Sequence, residues 1–456
     1  MSALNVLLVT YVFPPLGGTG VMRAASLARY LPSEGIRLDV LTARNAAAVG
    51  SDQNLLNEIP PEVTIHRTLT LDLPFSLKKG IKKLIAGRKK ANINVAGAST
   101  RSKPNIVNKV LQDLLKPDPQ VTWLPILTRA AYRIVRKRSI DLVLITAPPF
   151  STLLLVERLR KRFPRLAIVV DFRDEWISTS FDLVSFLFSS SERNRKFAQA
   201  TELSAVTNAT AVVAVTEAAR REIRARYPKQ PESKFYLVSN GFDVTRLNFS
   251  AASPEPRQDR KIVVTYIGTV YASTEPTVLV EALQSLPAEV KTRFKLRFIG
   301  HIEEPRFREA LLRLGDMVEL KGYLPQREAL AAMNETDYVL LINHDPLNVG
   351  GKFYDYIGGG KPILGAVHPA GETCRLLEEL RAGWWAANND VEGIRQLFVE
   401  AAIRGSAIGT EFRSNREKIA QFERKVLAQR YAALLGSIAG RPNQREVEAQ
   451  LARMGT

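Results

Sequence analysis

Short, continuously apolar runs rich in valine and isoleucine, among them Asn5–Thr10, Leu142–Thr146, Ala167–Phe172 and Ala211–Val215, alternate with segments of helical period along almost the whole chain. Runs that are apolar at every residue suit strands covered on both faces, and strand–helix alternation supplies the crossovers that parallel pairing requires. Helical period at Val21–Leu31, Thr128–Lys137, Ser151–Arg162 and Glu217–Tyr227 fills the gaps, the last with Thr216 placed as its cap. The alternation stops at the polar, proline-containing stretch Ala251–Arg260 and then restarts, with strands expected at Lys261–Ile267, Lys295–Ile299, Met317–Lys321, Tyr338–Ile342 and Pro362–Leu364. A chain of 456 residues can support two full cores. The expected fold is therefore α/β, two doubly wound domains over residues 1–250 and 261–412, with the carboxyl ends of their strands facing across one cleft. A further long helix is expected over Ser414–Leu435.

With 45% apolar and 24% charged residues the chain reads as globular, which excludes a disordered or fibrous protein. Cys374 is the only cysteine, so disulfides and cysteine metal sites are excluded and a reducing cytoplasm is the expected compartment. His66, His301, His344 and His368 show no metal-ligand spacing. The formal charge of +18 calls for an anionic partner. Its densest source is the acid-free interval Leu73–Gln112, inside an expected basic insertion at 73–120. There Lys78–Lys90 interleaves lysines with Ile81, Leu84 and Ile85, a pattern suited to a short amphipathic helix on the anionic inner face of the plasma membrane. A solvated surface insertion fits the same residues. No nucleic-acid partner is expected, because no zinc finger or aromatic RNA-binding signature accompanies the charge.

Three loops at expected strand ends carry the polar chemistry. Gly350-Gly351-Lys352 opens a helix whose unbonded N–H groups and positive dipole end suit a phosphate, with Lys352 adding a full charge. Asp355 follows one turn later on the same face, where its oxygens can accept both hydroxyls of a ribose. An ordinary helix start with a solvated aspartate and a glycine-rich C-cap is the competing reading. After the first strand, Pro14–Gly20 sets Gly17 and Gly18 at a helix start, without the GxGxxG spacing of a dinucleotide site. After Ala167–Phe172, the cluster Asp171, Arg173, Asp174, Glu175 and Trp176 offers carboxylates for paired hydroxyls, a fork for phosphate and a flat apolar face for a sugar. An internal Asp–Arg pair accounts equally well for one of Asp171 and Asp174.

Pro14-Pro15-Leu16-Gly17-Gly18, the Asp171–Trp176 loop, Ser239-Asn240-Gly241-Phe242-Asp243, Tyr266-Ile267-Gly268-Thr269 and Gly351–Leu364 together resemble the GT-B glycosyltransferases, and among them the retaining family 4 type of bacterial exopolysaccharide and lipopolysaccharide synthesis. The resemblance covers nearly the whole length. It implies two Rossmann-like domains, the C-terminal one binding a UDP- or GDP-linked sugar and the N-terminal one a lipid-linked or saccharide acceptor. It also implies a final helix at 413–436 packing back on the N-terminal domain, and neither cofactor nor metal. Position by position, Asp355 would hold the donor ribose and Lys352, with the amides after Gly350-Gly351, the diphosphate. Gly17, Gly18 and Gly268 would lie beside the donor. Asp171, Arg173, Asp174 and Trp176 would line the acceptor site, with Lys352, Arg173 and Asp174 as the catalytic candidates.

Several positions depart from the family. The acid usual eight residues before the ribose-binding carboxylate is here Leu347, leaving Asp345 as a substitute; Gly268 is followed by Thr269, Val270 and Tyr271, with no basic pair; and the N-terminal histidine of several members is missing. Transfer with retention has the acceptor hydroxyl attack on the face that the diphosphate leaves. The departures keep two other readings open, a nucleotide-sugar epimerase on the same scaffold and a non-catalytic nucleotide-binding relative.

Overall fold

The computed structural model describes residues 3–46, 51–70, 115–178, 192–247, 261–271, 274–405 and 412–440. The basic segment Lys78–Lys90 and the linker Ala251–Arg260 fall outside them. Seven described strands form the first sheet: β1 (Leu4–Val9), β2 (Ile36–Ala43), β3 (Thr64–Thr68), β4 (Leu142–Ala147), β5 (Ala167–Phe172), β6 (Ala211–Ala214) and β7 (Phe235–Leu237). Six form the second: β8 (Ile262–Ile267), β9 (Phe294–Ile299), β10 (Val318–Gly322), β11 (Tyr338–Asn343), β12 (Ile363–Val367) and β13 (Gly383–Ala387). Their orders are β3-β2-β1-β4-β5-β6-β7 and β10-β9-β8-β11-β12-β13. Pairing is parallel, with Val6 beside Leu38 and Leu142, and Leu340 beside Leu364. The central strands are apolar throughout because both faces are covered; Leu142, Val143, Leu144 and Ile145 are all fully buried.

In both orders the winding reverses beside the first strand. The crevices outside the carboxyl ends of β1 and β4, and of β8 and β11, are therefore the switch points at which such sheets take ligands. The helices that matter for them are α1 (Thr19–Tyr30), α2 (Glu217–Arg226), α3 (Gly351–Gly358), α4 (Arg416–Ala420) and α5 (Arg424–Ile438). The chain divides into two compact units. One is drawn from Met1–Val213, Tyr227–Tyr236 and Ala428–Thr456, the other from Ala214–Arg226 and Leu237–Leu427.

Three local expectations change. The single helix expected over Ser414–Leu435 is two helices, α4 and α5. At the break, Phe242 N–H donates to the Phe422 carbonyl at 3.1 Å and Arg424 N–H to the Phe242 carbonyl at 2.9 Å, a strand-like contact that helical backbone cannot make. Gly241 permits it, since a Cβ there would run into the Phe422 carbonyl. Strand β13 was not expected, since Gly383, Ala386 and Ala387, three of its five residues, are of types depleted in strands. The helix Glu192–Asn208 is likewise absent from the sequence expectation, because its buried face includes Asn194, Thr201 and Glu202 and so shows no apolar period. Thr216 does cap α2, its Oγ1 accepting from Ala219 N–H at 3.1 Å.

Candidate functional site

At the switch point of the second sheet, β8 ends at Ile267 and the chain turns at Gly268 with φ of +125°, a left-handed value that favours glycine. A Cβ at Gly268 would stand 3.4 Å from Lys352 Nζ, so the lysine, second residue of α3, lies directly over this turn. Its ammonium rests on the Tyr266 ring, 4.1 Å from the centroid, and donates to the Tyr266 hydroxyl, which in turn donates to the Thr269 carbonyl at 3.0 Å. Among the described residues no carboxylate pairs with Lys352, and burial lowers its pKa to about 7. Gly350 stands at the N-cap with no heavy atom within 4 Å of where a Cβ would stand, and among the described residues no side chain caps the first N–H groups of α3.

Asp355 lies one turn along α3. Burial raises its pKa to about 6, against the pull of Arg424 and Arg246, with Asp243 pushing the same way as burial. Among the described residues its carboxylate has no hydrogen bond or ion pair. A desolvated amine and a desolvated, unbonded acid on one helix face can together take a ligand with an anionic group and, one turn away, paired hydroxyls.

Asp345 does not fill the place of the missing acid at Leu347. Its Oδ1 accepts from Leu347 N–H at 2.8 Å and Asn348 N–H at 3.0 Å, and its Oδ2 from the Asn348 side chain at 2.9 Å, so both oxygens are engaged in shaping the turn. The same turn is held from α2 by Thr216, whose hydroxyl donates to the Leu347 carbonyl at 2.6 Å.

At the first sheet's switch point the expected sugar-binding cluster is mostly turned inward. Asp171, with no exposure, takes both forks of Arg23: Nε to Oδ2 at 2.9 Å and Nη2 to Oδ1 at 2.8 Å. The Tyr431 hydroxyl donates to the same Oδ1 at 2.7 Å. Asp171 is thus a structural ion-pair partner with no oxygen left for an acceptor. Arg173 is buried too, donating from Nη1 to the Gly20 carbonyl and from Nη2 to the Pro148 carbonyl. Its fork therefore ties the β1 and β4 loops together and is not open to phosphate. Trp176 is 8% exposed and stacks on Phe150, with centroids 4.4 Å apart and rings 2° from parallel, so that ring face is not a sugar platform. Asp174 alone of the four is exposed. Gly18 is the N-cap of α1 at φ +102°, with no heavy atom within 4 Å of where a Cβ would stand.

Sequence reasoning missed Tyr266 as the seat of Lys352, Arg23 and Tyr431 as the partners of Asp171, and the charges Arg246, Arg424 and Asp243 around Asp355. Nothing local in the sequence announces them, for each acts on a residue distant along the chain. Among the described residues no three histidine, cysteine or acidic side chains are gathered as metal ligands, and no helix is long and apolar enough to cross a membrane.

The family model of Glycosyltransferase Family 4 matches residues 17–246, half of the chain. The chain is 26% identical over 171 residues to WcaL of Salmonella typhimurium, assigned as a colanic acid biosynthesis glycosyltransferase; the match covers 35% of this chain and only 41% of the relative. In fold it is similar to sucrose-phosphate synthase of Thermosynechococcus elongatus, with a TM-score of 0.64 at 14% identity over 96% of this chain and 99% of that one. It is also similar to HepE of Anabaena in complex with UDP and glucose, with a TM-score of 0.60 at 16% identity over 95% and 100% of the two chains. The two-unit α/β architecture is that of the GT-B glycosyltransferases.

Proposed function

We propose, from the premise that the chain belongs to glycosyltransferase family 4, that this enzyme moves a sugar from a nucleotide-sugar held at the β8–β11 crevice to a saccharide or lipid-linked acceptor held by the first unit. The observation that carries the donor half is the pairing on α3 of Lys352, an amine without a carboxylate partner among the described residues, with Asp355, a carboxylate without a hydrogen bond among them. Lys352 and the first amides of α3 neutralise the diphosphate, and Asp355 accepts the ribose hydroxyls.

Charge builds on the diphosphate as the anomeric C–O bond breaks, so donors already in place there lower the barrier, each contributing on the order of 3 kcal/mol. The acceptor hydroxyl attacks the anomeric carbon on the face the diphosphate leaves and gives its proton to a departing phosphate oxygen. The configuration is thereby retained. No metal or cofactor takes part. Exposed Asp174 and the open Gly17–Gly18 turn are the acceptor-side contacts. HepE, of similar fold, binds UDP, which makes UDP-sugars the first donors to test. Contact of Lys78–Lys90 with an anionic membrane completes the proposal, and co-sedimentation with anionic vesicles tests it.

The deciding experiment is calorimetric titration with UDP and GDP, followed by transfer assays with UDP-glucose and GDP-mannose, on the native enzyme and on Lys352→Ala. The native enzyme should bind one nucleotide and the variant should lose both binding and transfer. Undiminished turnover by the variant rejects the site, and epimerised donor in the absence of any acceptor replaces transfer by epimerisation.

A further inference from the structure

The hydroxyl of Tyr431 on α5 closes a ring of hydrogen bonds around a buried ion pair. It accepts from Arg23 Nη2 at 2.9 Å and donates to Asp171 Oδ1 at 2.7 Å, while Arg23 Nη2 reaches the same oxygen at 2.8 Å. The Arg23 guanidinium also lies 5.3 Å from the Tyr431 ring centroid. All three groups are nearly or fully buried; Tyr431 is 1% exposed and Asp171 not at all. The ion pair alone would satisfy the charges, so the hydroxyl adds something else, a fixed position for both partners at once.

Arg23 sits one turn into α1, directly behind the Gly17–Gly18 turn, and Asp171 ends β5. Two residues beyond Asp171, Arg173 grips the Gly20 carbonyl of the same first turn of α1 and the Pro148 carbonyl of the β4 loop. The end of β5 therefore holds the start of α1 at two points, and α5 holds the first of them.

We propose that Tyr431 is a positioning residue for glycosyl transfer: through the Arg23–Asp171 pair it sets where the Gly17–Gly18 turn holds the acceptor. The inference rests on the proposed function, in which this turn is an acceptor-side contact in the same unit as Tyr431. It separates binding from turnover, because the residues assigned to nucleotide binding lie on α3. Displacement of an aligned group by about 1 Å costs up to about a hundredfold in rate, so one lost hydroxyl acting through α1 should lower kcat about tenfold or more.

The test uses the full-length enzyme with Tyr431→Phe, which removes one oxygen and keeps the ring. Amide hydrogen exchange should accelerate across residues 13–24 and stay unchanged in β8 to β13. Turnover of UDP-glucose or GDP-mannose, whichever the native enzyme uses, should fall about tenfold while nucleotide Kd stays constant. Arg23→Lys should reproduce the fall, and the double variant should be little worse than either single one. Unchanged exchange at residues 13–24, or a weakened nucleotide Kd equal to the loss of turnover, overturns the proposal. Faster local exchange with full turnover leaves the hydrogen-bond ring intact as structure but rejects the Gly17–Gly18 turn as an acceptor-side contact.

Discussion

The two switch points of this protein handle charge in opposite ways. At the β8–β11 crevice, Lys352 and Asp355 are kept desolvated and, among the described residues, without ion-pair partners, which shifts both toward neutrality, to pKa values of about 7 and about 6. At the β1–β4 crevice, Asp171 and Arg173 are no less buried but fully engaged, one by Arg23 and Tyr431, the other by the Gly20 and Pro148 carbonyls. Burial alone therefore does not distinguish the proposed binding residues from the structural ones. What distinguishes them is whether the protein itself supplies the counter-group. A group left incomplete is stabilised only when a ligand arrives, whereas a completed one stabilises the fold and has nothing to offer a ligand.

The largest expected effect breaks the structural side of this contrast. Asp171→Ala strands the Arg23 guanidinium without its partner in a buried site and should cost about 3–5 kcal/mol of stability, read as a lowered denaturant midpoint. A variant of native stability that merely bound acceptor poorly would place Asp171 with the binding residues after all.

Lys352→Met should do the reverse. Nucleotide affinity should fall by about 3 kcal/mol, while thermal stability holds or rises because a desolvated ammonium has been replaced by a thioether of similar shape. A marked loss of stability would mean that the Tyr266 contact, not a ligand, is what Lys352 serves.

Next in size is the pH dependence of nucleotide binding. Lys352 must be protonated to hold a diphosphate, so affinity should weaken as pH rises above about 7, by at most about tenfold per unit. Asp355 must be ionised to accept hydroxyls, so affinity should also weaken below about 6. Lys352→Met should abolish the alkaline limb and Asp355→Asn the acid limb. Limbs that persist in both variants would assign the titration to other groups.

The smallest effect concerns Asp345. Asp345→Ala removes the acceptor of two backbone N–H groups and should cost about 1 kcal/mol of stability without changing which sugar is used. A switch in donor-sugar preference would return Asp345 to the binding site.

The legible parts of this molecule were those fixed by near neighbours in sequence. Strand–helix alternation gave the two doubly wound sheets, because a strand buried on both faces has to be apolar at every position. Lys352 and Asp355 could be placed together from spacing alone, since residues three apart on a helix share a face whatever the rest of the chain does. The loop Asp171–Trp176 was readable as chemistry but not as function. Its charge partners lie 148 and 260 residues away at Arg23 and Tyr431, and the cover of Trp176 is the ring of Phe150. The break between α4 and α5 was hidden for the same reason, as Phe242 imposes it from far along the chain.

By itself, then, the sequence determined the fold class, the family resemblance and the α3 pair of Lys352 and Asp355, all consequences of local periodicity and spacing. Only the tertiary structure decided which buried charges were already matched. Matching depends on distance in space between side chains that sequence order leaves far apart, and a carboxylate looks the same in sequence whether its counter-ion is an arginine of the protein or a group still to bind.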